Sequence, residues 1–222
     1  MLSKRGFTLI EVLVTLVILM FGLLGIAGLM AKGQRAAYEA FQRQQALALS
    51  ADMAERILGN RSQAANYVTA APVTTPVGTT NGVFYGDLLK SNITNCSTAV
   101  CTAAELQQYD VAMWEGLLLG YSENLASSSS RVGGIVNANG CIEQIATSLA
   151  QCPSAPAPVG SVYTRTVRVS VAWQGSDNTA APTTSTCGQG LYKAADSTGT
   201  YVVSEASRRV VSTDINVLMN CP

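Results

Sequence analysis

Residues 6–16 read GFTLIEVLVTL, where a single acid, Glu11, stands inside a run that is otherwise apolar. From Val12 to Ala31 no residue is charged. That stretch of about 20 residues matches the ~30 Å hydrocarbon core of a bilayer at 1.5 Å of helical rise per residue. A carboxylate costs roughly 2.5–3.5 kcal/mol at the centre of a spanning helix and less near its end. An acid kept at the head of such a segment therefore points to a function.

Upstream, Lys4 and Arg5 place the extreme N-terminus on the cytoplasmic side by the positive-inside rule, although Lys32, Arg35 and Arg43 beyond the span blur the asymmetry. A cleaved secretory signal has an apolar core of only about 7–15 residues and then a small-residue cleavage site. This run is longer. Downstream, Tyr38, Phe41, Gln45, Leu49, Met53 and Ile57 recur at three- and four-residue intervals among charged positions, and Gly59-Asn60 supplies a stop. The pattern predicts one helix from Phe7 to Leu58, about 80 Å long, with its first half in lipid and its second half against a globular head. Gly22, Gly25 and Gly28 offer close helix approach within the span, at a cost of up to about 1 kcal/mol each in helix propensity. No proline precedes Pro72, so any bending falls to these glycines.

The remaining composition narrows the function. From Ser62 onward there are seven Lys and Arg against ten Asp and Glu, so the distal part lacks the cationic field that holds phosphates, and no nucleic acid is expected as a partner. Histidine is absent, which removes the usual catalytic base, and no cofactor or metal is expected. Six cysteines, Cys96, Cys101, Cys141, Cys152, Cys187 and Cys221, all lie beyond the apolar segment, and none forms a C-x-x-C pair. They read as disulfides of an exported domain rather than as a zinc site, which only Cys96-x4-Cys101 approaches.

Residues Arg61 to Val83 are rich in Ala, Thr, Pro, Asn and Gly and read as a loop. Thr102 and Glu105 then form a capping box that opens a second helix, with Leu106, Tyr109, Met113 and Leu117 on one face. YTRTVRVSVAW alternates with Tyr163, Arg165, Val167, Val169, Val171 and Trp173 on one side. RRVVSTDINVLM does the same through Val211, Thr213, Ile215, Val217 and Met219. Shorter strands are expected around Gly134–Val136 and Tyr201–Val203. The fold class is α+β: a long N-terminal helix packed by its second half on a small antiparallel sheet. Trp114 and Trp173 read as core anchors, Ser127–Arg131 as a solvated loop, and Asp87, Asp110, Asp177 and Asp196 show no cation-site spacing. Six cysteines admit fifteen pairings. Nearest-neighbour closure predicts Cys96–Cys101, Cys141–Cys152 and Cys187–Cys221.

Lys4-Arg5-Gly6-Phe7-Thr8-Leu9-Ile10-Glu11 resembles the class III signal of type IV pilins and pseudopilins, a basic leader ending in Gly before a long apolar helix. The segment Cys96 to Leu117, with its Cys-x4-Cys-Thr and Asp-x3-Trp-x2-Leu pieces, and the Val-x-Val-x-Trp strand are similar to the PilV family of minor pilins. The resemblance implies cleavage by prepilin peptidase between Gly6 and Phe7, N-methylation of Phe7, and a role for Glu11 in setting subunit register against a neighbour's terminal amine. It divides the chain into a leader (1–6), a transmembrane half-helix (7–31), an exported half-helix (32–60) and a disulfide-bonded head (61–222). The implied protein sits in inner-membrane lipid with its head in the periplasm, then joins the pilus. Its implied partners are the peptidase, the major pilin, other minor pilins and a tip adhesin, and a C-terminal disulfide loop is common in the family. A type II secretion pseudopilin and a single-span protein with an exported ligand-binding domain are the competing readings; the absence of histidine, of a metal cluster and of any nucleophile motif in the sequence disfavours an enzyme.

Overall fold

The computed structural model describes residues 6, 8–79, 83–121, 134–148, 160–195 and 198–221. Leader residues 1–5, Phe7, Ser127–Arg131, Cys152 and Asp196 lie outside the described residues. The chain forms two compact units, Met1–Phe41 and Gln42–Pro222. Helix α1 (Leu9–Gly59) contributes to both. It starts and ends within two residues of the predicted limits.

In the first unit every described residue from Thr8 to Tyr38 is exposed, including Leu9, Phe21 and Leu29. The segment is long and apolar enough to cross a membrane. In the second unit α1 buries Gln42, Ala46, Ser50, Met53, Ala54 and Ile57, a stripe at helical spacing. Met53 and Ile57 are on the stripe as expected, and Gln45 and Leu49 flank it. Tyr38 and Phe41 are about half exposed and are not part of it.

The stripe meets a three-stranded antiparallel sheet of order β1-β2-β5, made by β1 (Asn139–Thr147), β2 (Val162–Gln174) and β5 (Arg208–Asn220). Val167, Val169, Val171, Trp173, Val211 and Val217 project from one side of β2 and β5 into the same core as Ala46, Met53 and Ile57. The alternation expected for both strands is therefore the one that packs. Strand β4 (Tyr201–Val203) pairs with β3 (Lys193–Ala195) in a separate small hairpin. Gly134–Val136 is not a strand; β1 starts at Asn139. Its sequence alternates poorly because its first four residues are buried on both faces.

The 61–83 stretch is more ordered than its composition implies. After a 3-10 turn (Arg61–Gln63) come α2 (Ala64–Ala70) and, at Val83–Leu89, α3. Helix α4 (Ala103–Leu118) has the expected capping box, with Thr102 Oγ1 accepting from Glu105 N–H and Glu105 accepting from Thr102 N–H. Those bonds hold the Glu105 carboxyl below the ordinary carboxylate range. Its core face is Val111, Trp114 and Leu118, not Leu106, Tyr109, Met113 and Leu117, which are half-buried. Helix α3 packs against α4 and so gives α4 a second partly covered side, which shifts the apparent apolar stripe. Trp114 and Trp173 are core residues, and Trp114 Nε1 donates to the Leu49 carbonyl at 2.9 Å. Close packing at the α4 crossing requires glycine at 140, since a Cβ there would enter the Trp114 ring and Leu118. Gly140→Ala is expected to destabilise the head by about 1–3 kcal/mol through overpacking, measurable as a lowered Tm with the disulfides intact.

Cys96 and Cys101 are joined. Cys141 is bonded to Cys187, which corrects the expected Cys141–Cys152 and Cys187–Cys221. The reason is topological. Residues 176–192 fold back over the outer side of β1 and β2, so Cys187 joins Cys141, Ala172 and Tyr192 in a second small core. Cys221 is also disulfide-bonded, and its partner lies outside the described residues.

The same covering segment is gripped from β5. Arg208, 3% exposed, donates to the carbonyls of Pro182, Ser185 and Cys187 and pairs with Glu205. Arg168 donates to the Thr184 carbonyl and binds Asp214 across the β2–β5 ladder through both carboxylate oxygens at 2.7 and 2.8 Å. That guanidinium holds the Asp214 carboxyl below its usual range. Because the folded state lowers this pKa, the pair stabilises the head above the unfolded value near pH 4 and loses its contribution as pH falls through the folded value. The stability difference between the wild type and Arg168→Met is expected to be constant at neutral pH and to shrink in acid to what the bond to the Thr184 carbonyl contributes, as read from denaturant midpoints across a pH series.

The N-terminal assembly helix as candidate functional site

Where α1 begins decides what its first turn presents. The Thr8 carbonyl accepts from the backbone N–H groups of Glu11 (3.1 Å) and Val12 (3.3 Å), and Thr8 Oγ1 also faces Glu11 N–H at 3.4 Å. Thr8 is thus the N-cap, and Glu11 lies in the first turn, where the helix dipole favours a negative charge. The Thr-x-x-Glu signature was available in the sequence and marks the start two residues beyond Phe7. Gly6 precedes the helix and has open space where a Cβ would stand.

Around the side chain of Glu11 the surface is exposed, and among the described residues no cation pairs with it. Leu9, Ile10, Leu13 and Val14, near it in the chain, are all exposed. Thr15, the other polar residue of the early span, satisfies its hydroxyl by donating to the Val12 carbonyl at 2.8 Å, so it costs little in an apolar setting. Gly22, Gly25 and Gly28 have nothing within 4 Å of an added Cβ. The helix therefore offers another helix a smooth apolar surface with shallow notches and one charge.

At the other end, α1 is locked into the head by a polar network. Arg56 donates to Asp52 and Asp110, Tyr67 OH donates to Asp110, and Asn60 Nδ2 donates to the Ala103 carbonyl. Burial lowers the proton affinity of Arg56, but its bonds to the two carboxylates outweigh this and raise it. Burial, together with the bond to Asp110, pushes the Tyr67 phenol well above its ordinary value. Asp110 has no acidic neighbours in sequence to mark it. Its partners come from other helices and leave no local signature. Likewise Glu115, fully buried, accepts from the backbone N–H groups of Tyr85 and Gly78, fixing the loop before α3.

A family model described as the prokaryotic N-terminal methylation motif matches residues 1–27, and one described as type IV pilin Tt1218 matches residues 29–112. No curated protein and no solved structure matches the chain. The first match spans Gly6, Phe7 and Glu11; it implies processing by prepilin peptidase and assembly with other pilins. The exposed apolar helix and the motif together fit an anchor in the inner membrane. A capped apolar helix with one acid in its first turn, followed in the chain by an α+β head, thus coincides with both matches, and over residues 1–27 and 29–112 the chain is a match to the type IV pilin family.

Proposed function

We propose that this chain is a PilV-like minor pilin, a structural subunit rather than an enzyme, that takes part in starting pilus assembly with other minor pilins at the filament tip. Prepilin peptidase cuts between Gly6 and Phe7 on the cytoplasmic side and methylates the new amine of Phe7. Residues 7–31 stay in the lipid, residues 32–60 continue outside it, and the head stands in the periplasm until the subunit enters the filament. There the amine of an adjoining subunit neutralises Glu11 while apolar helix surfaces close around the pair. A large adhesin-like protein is the further tip partner.

The observation that carries this reading is the uncovered apolar helix with Glu11 in its first turn. A plain anchor gains nothing from that acid, whereas a subunit built to meet another subunit's cation does. The similarity of Cys96–Leu117 and of the Val-x-Val-x-Trp strand to PilV-type minor pilins supports the finer assignment. Intact-mass and N-terminal analysis of membrane-extracted protein from pilus-forming cells tests the reading. The expected species begins at N-methyl-phenylalanine. A functional protein that retains residues 1–6 overturns the reading, and recovery of the mature chain only with a secretion apparatus overturns the pilus assignment alone.

A further inference from the structure

The two edges of the main sheet are treated differently. On the β1 side, Val77 exchanges backbone bonds with Gly140, and Ile142 N–H donates to the Ala71 carbonyl, so the segment around α2 closes that edge. On the β5 side nothing comparable exists among the described residues. Strand β5 is 13 residues long, pairs with β2 without a register shift, and contains no proline and no lysine. A short strand, a bulge, proline and lysine are devices by which natural proteins blunt an edge, and β5 uses none of them.

The phase of the ladder identifies which groups are free. Cys221 N–H donates to the Ser161 carbonyl and Gly175 N–H to the Ser207 carbonyl. In an antiparallel ladder, residues of that parity on β5 face β2, so those of the other parity turn both N–H and C=O outward. Arg208 shares the outward parity, but its N–H is taken by the Glu205 carbonyl; the free outward set is Val210, Ser212, Asp214, Asn216, Leu218 and Asn220, and no described residue bonds to their backbone on that side. Their side chains do not guard the edge either. Ser212 bonds to Ser170, Asp214 to Arg168, and Asn216 accepts from Thr166, all toward β2.

We infer that the β5 edge of the head is a strand-addition site, taking an extended segment of another exported chain in which apolar and polar residues alternate. The alternation follows from the neighbours. Ile215, Val217 and Met219 line the core side beside the incoming strand, and exposed Asp214, Asn216 and Leu218 line the other. The one charge, Asp214, is already neutralised by Arg168, so the segment needs no charge of its own at that point.

A second copy is a poor occupant. Strand β5 advances in the same direction as the adjacent part of α1, since Ser50 meets Thr213 and, further along β5, Leu218–Asn220 border Arg61 and Ser62, just beyond the end of α1. Antiparallel pairing of two β5 edges would point the α1 segments of the two heads in opposite directions. Parallel pairing would set the apolar side of one head in line with the solvent side of the other. Subunits that enter one filament stand the same way up, so a separate extended segment fits where a copy does not. This inference holds whichever filament machine uses the chain.

Residue-resolved hydrogen exchange on the full-length protein tests it. In detergent the outward amides from Val210 to Leu218 are expected to exchange fast and their alternate neighbours slowly. In complexes isolated from pilus-forming membranes the outward amides should slow by about tenfold or more. Outward amides that stay fast there overturn the inference. A photo-crosslinking residue at Leu218 in the full chain gives a second readout, with Asn216→Pro and Asn216→Ala in the same background. Proline at an outward position leaves the β2 ladder intact but removes a donor and blocks an added strand. The adduct should map to an alternating segment of another chain, fall about tenfold with proline and persist with alanine. An adduct to β5 of a second copy, or one indifferent to proline in a head with its disulfides formed, overturns the inference.

Discussion

Glu11→Ala is expected to stop incorporation of the subunit into filaments while leaving its membrane level and head unchanged. Glu11 is exposed on the isolated chain, and no described residue pairs with it, so the substitution removes no contact there. The loss arises only once helices bundle. Removing one member of a buried ion pair leaves the other uncompensated and costs about 3–5 kcal/mol. That corresponds to a fall of about 10²- to several 10³-fold in the incorporation equilibrium. The ratio of sheared-filament to membrane-bound protein, measured against the wild type in the same cells, reads it directly. Glu11→Gln keeps the shape and hydrogen bonding without the charge, and is expected to fall between the two. Incorporation of Glu11→Ala at the wild-type ratio would remove the register role proposed for this acid.

The second large effect is in the head. Cys141 and Cys187 are 46 residues apart in sequence, so breaking their bond frees a long loop in the unfolded chain. The chain-entropy relation puts the cost of Cys141→Ala/Cys187→Ala at about 4 kcal/mol, against about 2 kcal/mol for Cys96→Ala/Cys101→Ala, whose loop is much shorter. For a head of this size the first pair corresponds to a Tm lowered by about 8–16 °C. Thermal unfolding of the full-length protein in detergent should rank the two variants in that order. Non-reducing peptide mapping should find Cys141 with Cys187, leaving Cys152 as the remaining cysteine for Cys221. Recovery of a Cys141–Cys152 peptide would contradict the fold at the point where residues 176–192 cover the sheet.

What could be read in advance had local causes. The apolar run, the capping box at Thr102, and strands β2 and β5 each carry their period or cap within a few adjacent residues. The elements that were misjudged depend on distant ones. Helix α4 looked apolar along Leu106, Tyr109, Met113 and Leu117 because α3 half-covers that side, while the deeper face turns on Trp114. Helices α2 and α3 are seven residues each, too short and too mixed in composition to show a period. Strand β1 hides its alternation because Cys141 faces the second core while Ile142 faces the first. The disulfide partners follow from the path of residues 176–192, which no spacing rule encodes. At the assembly helix, Gly6, Phe7 and Glu11 were visible as a linear motif. The cap at Thr8 has its Thr-x-x-Glu signature in the sequence, one residue beyond Phe7.

The pairing of α1 with β5 joins residues far apart in the chain: Ser50 of α1 meets Thr213, 163 residues later, and the clamp on the covering segment comes from Arg208. Contacts of such wide separation carry a loop-closure cost before they stabilise anything, so the greasy stripe of α1 stays bare until β5 docks on it, and the rate at which the head closes is set by that non-local step.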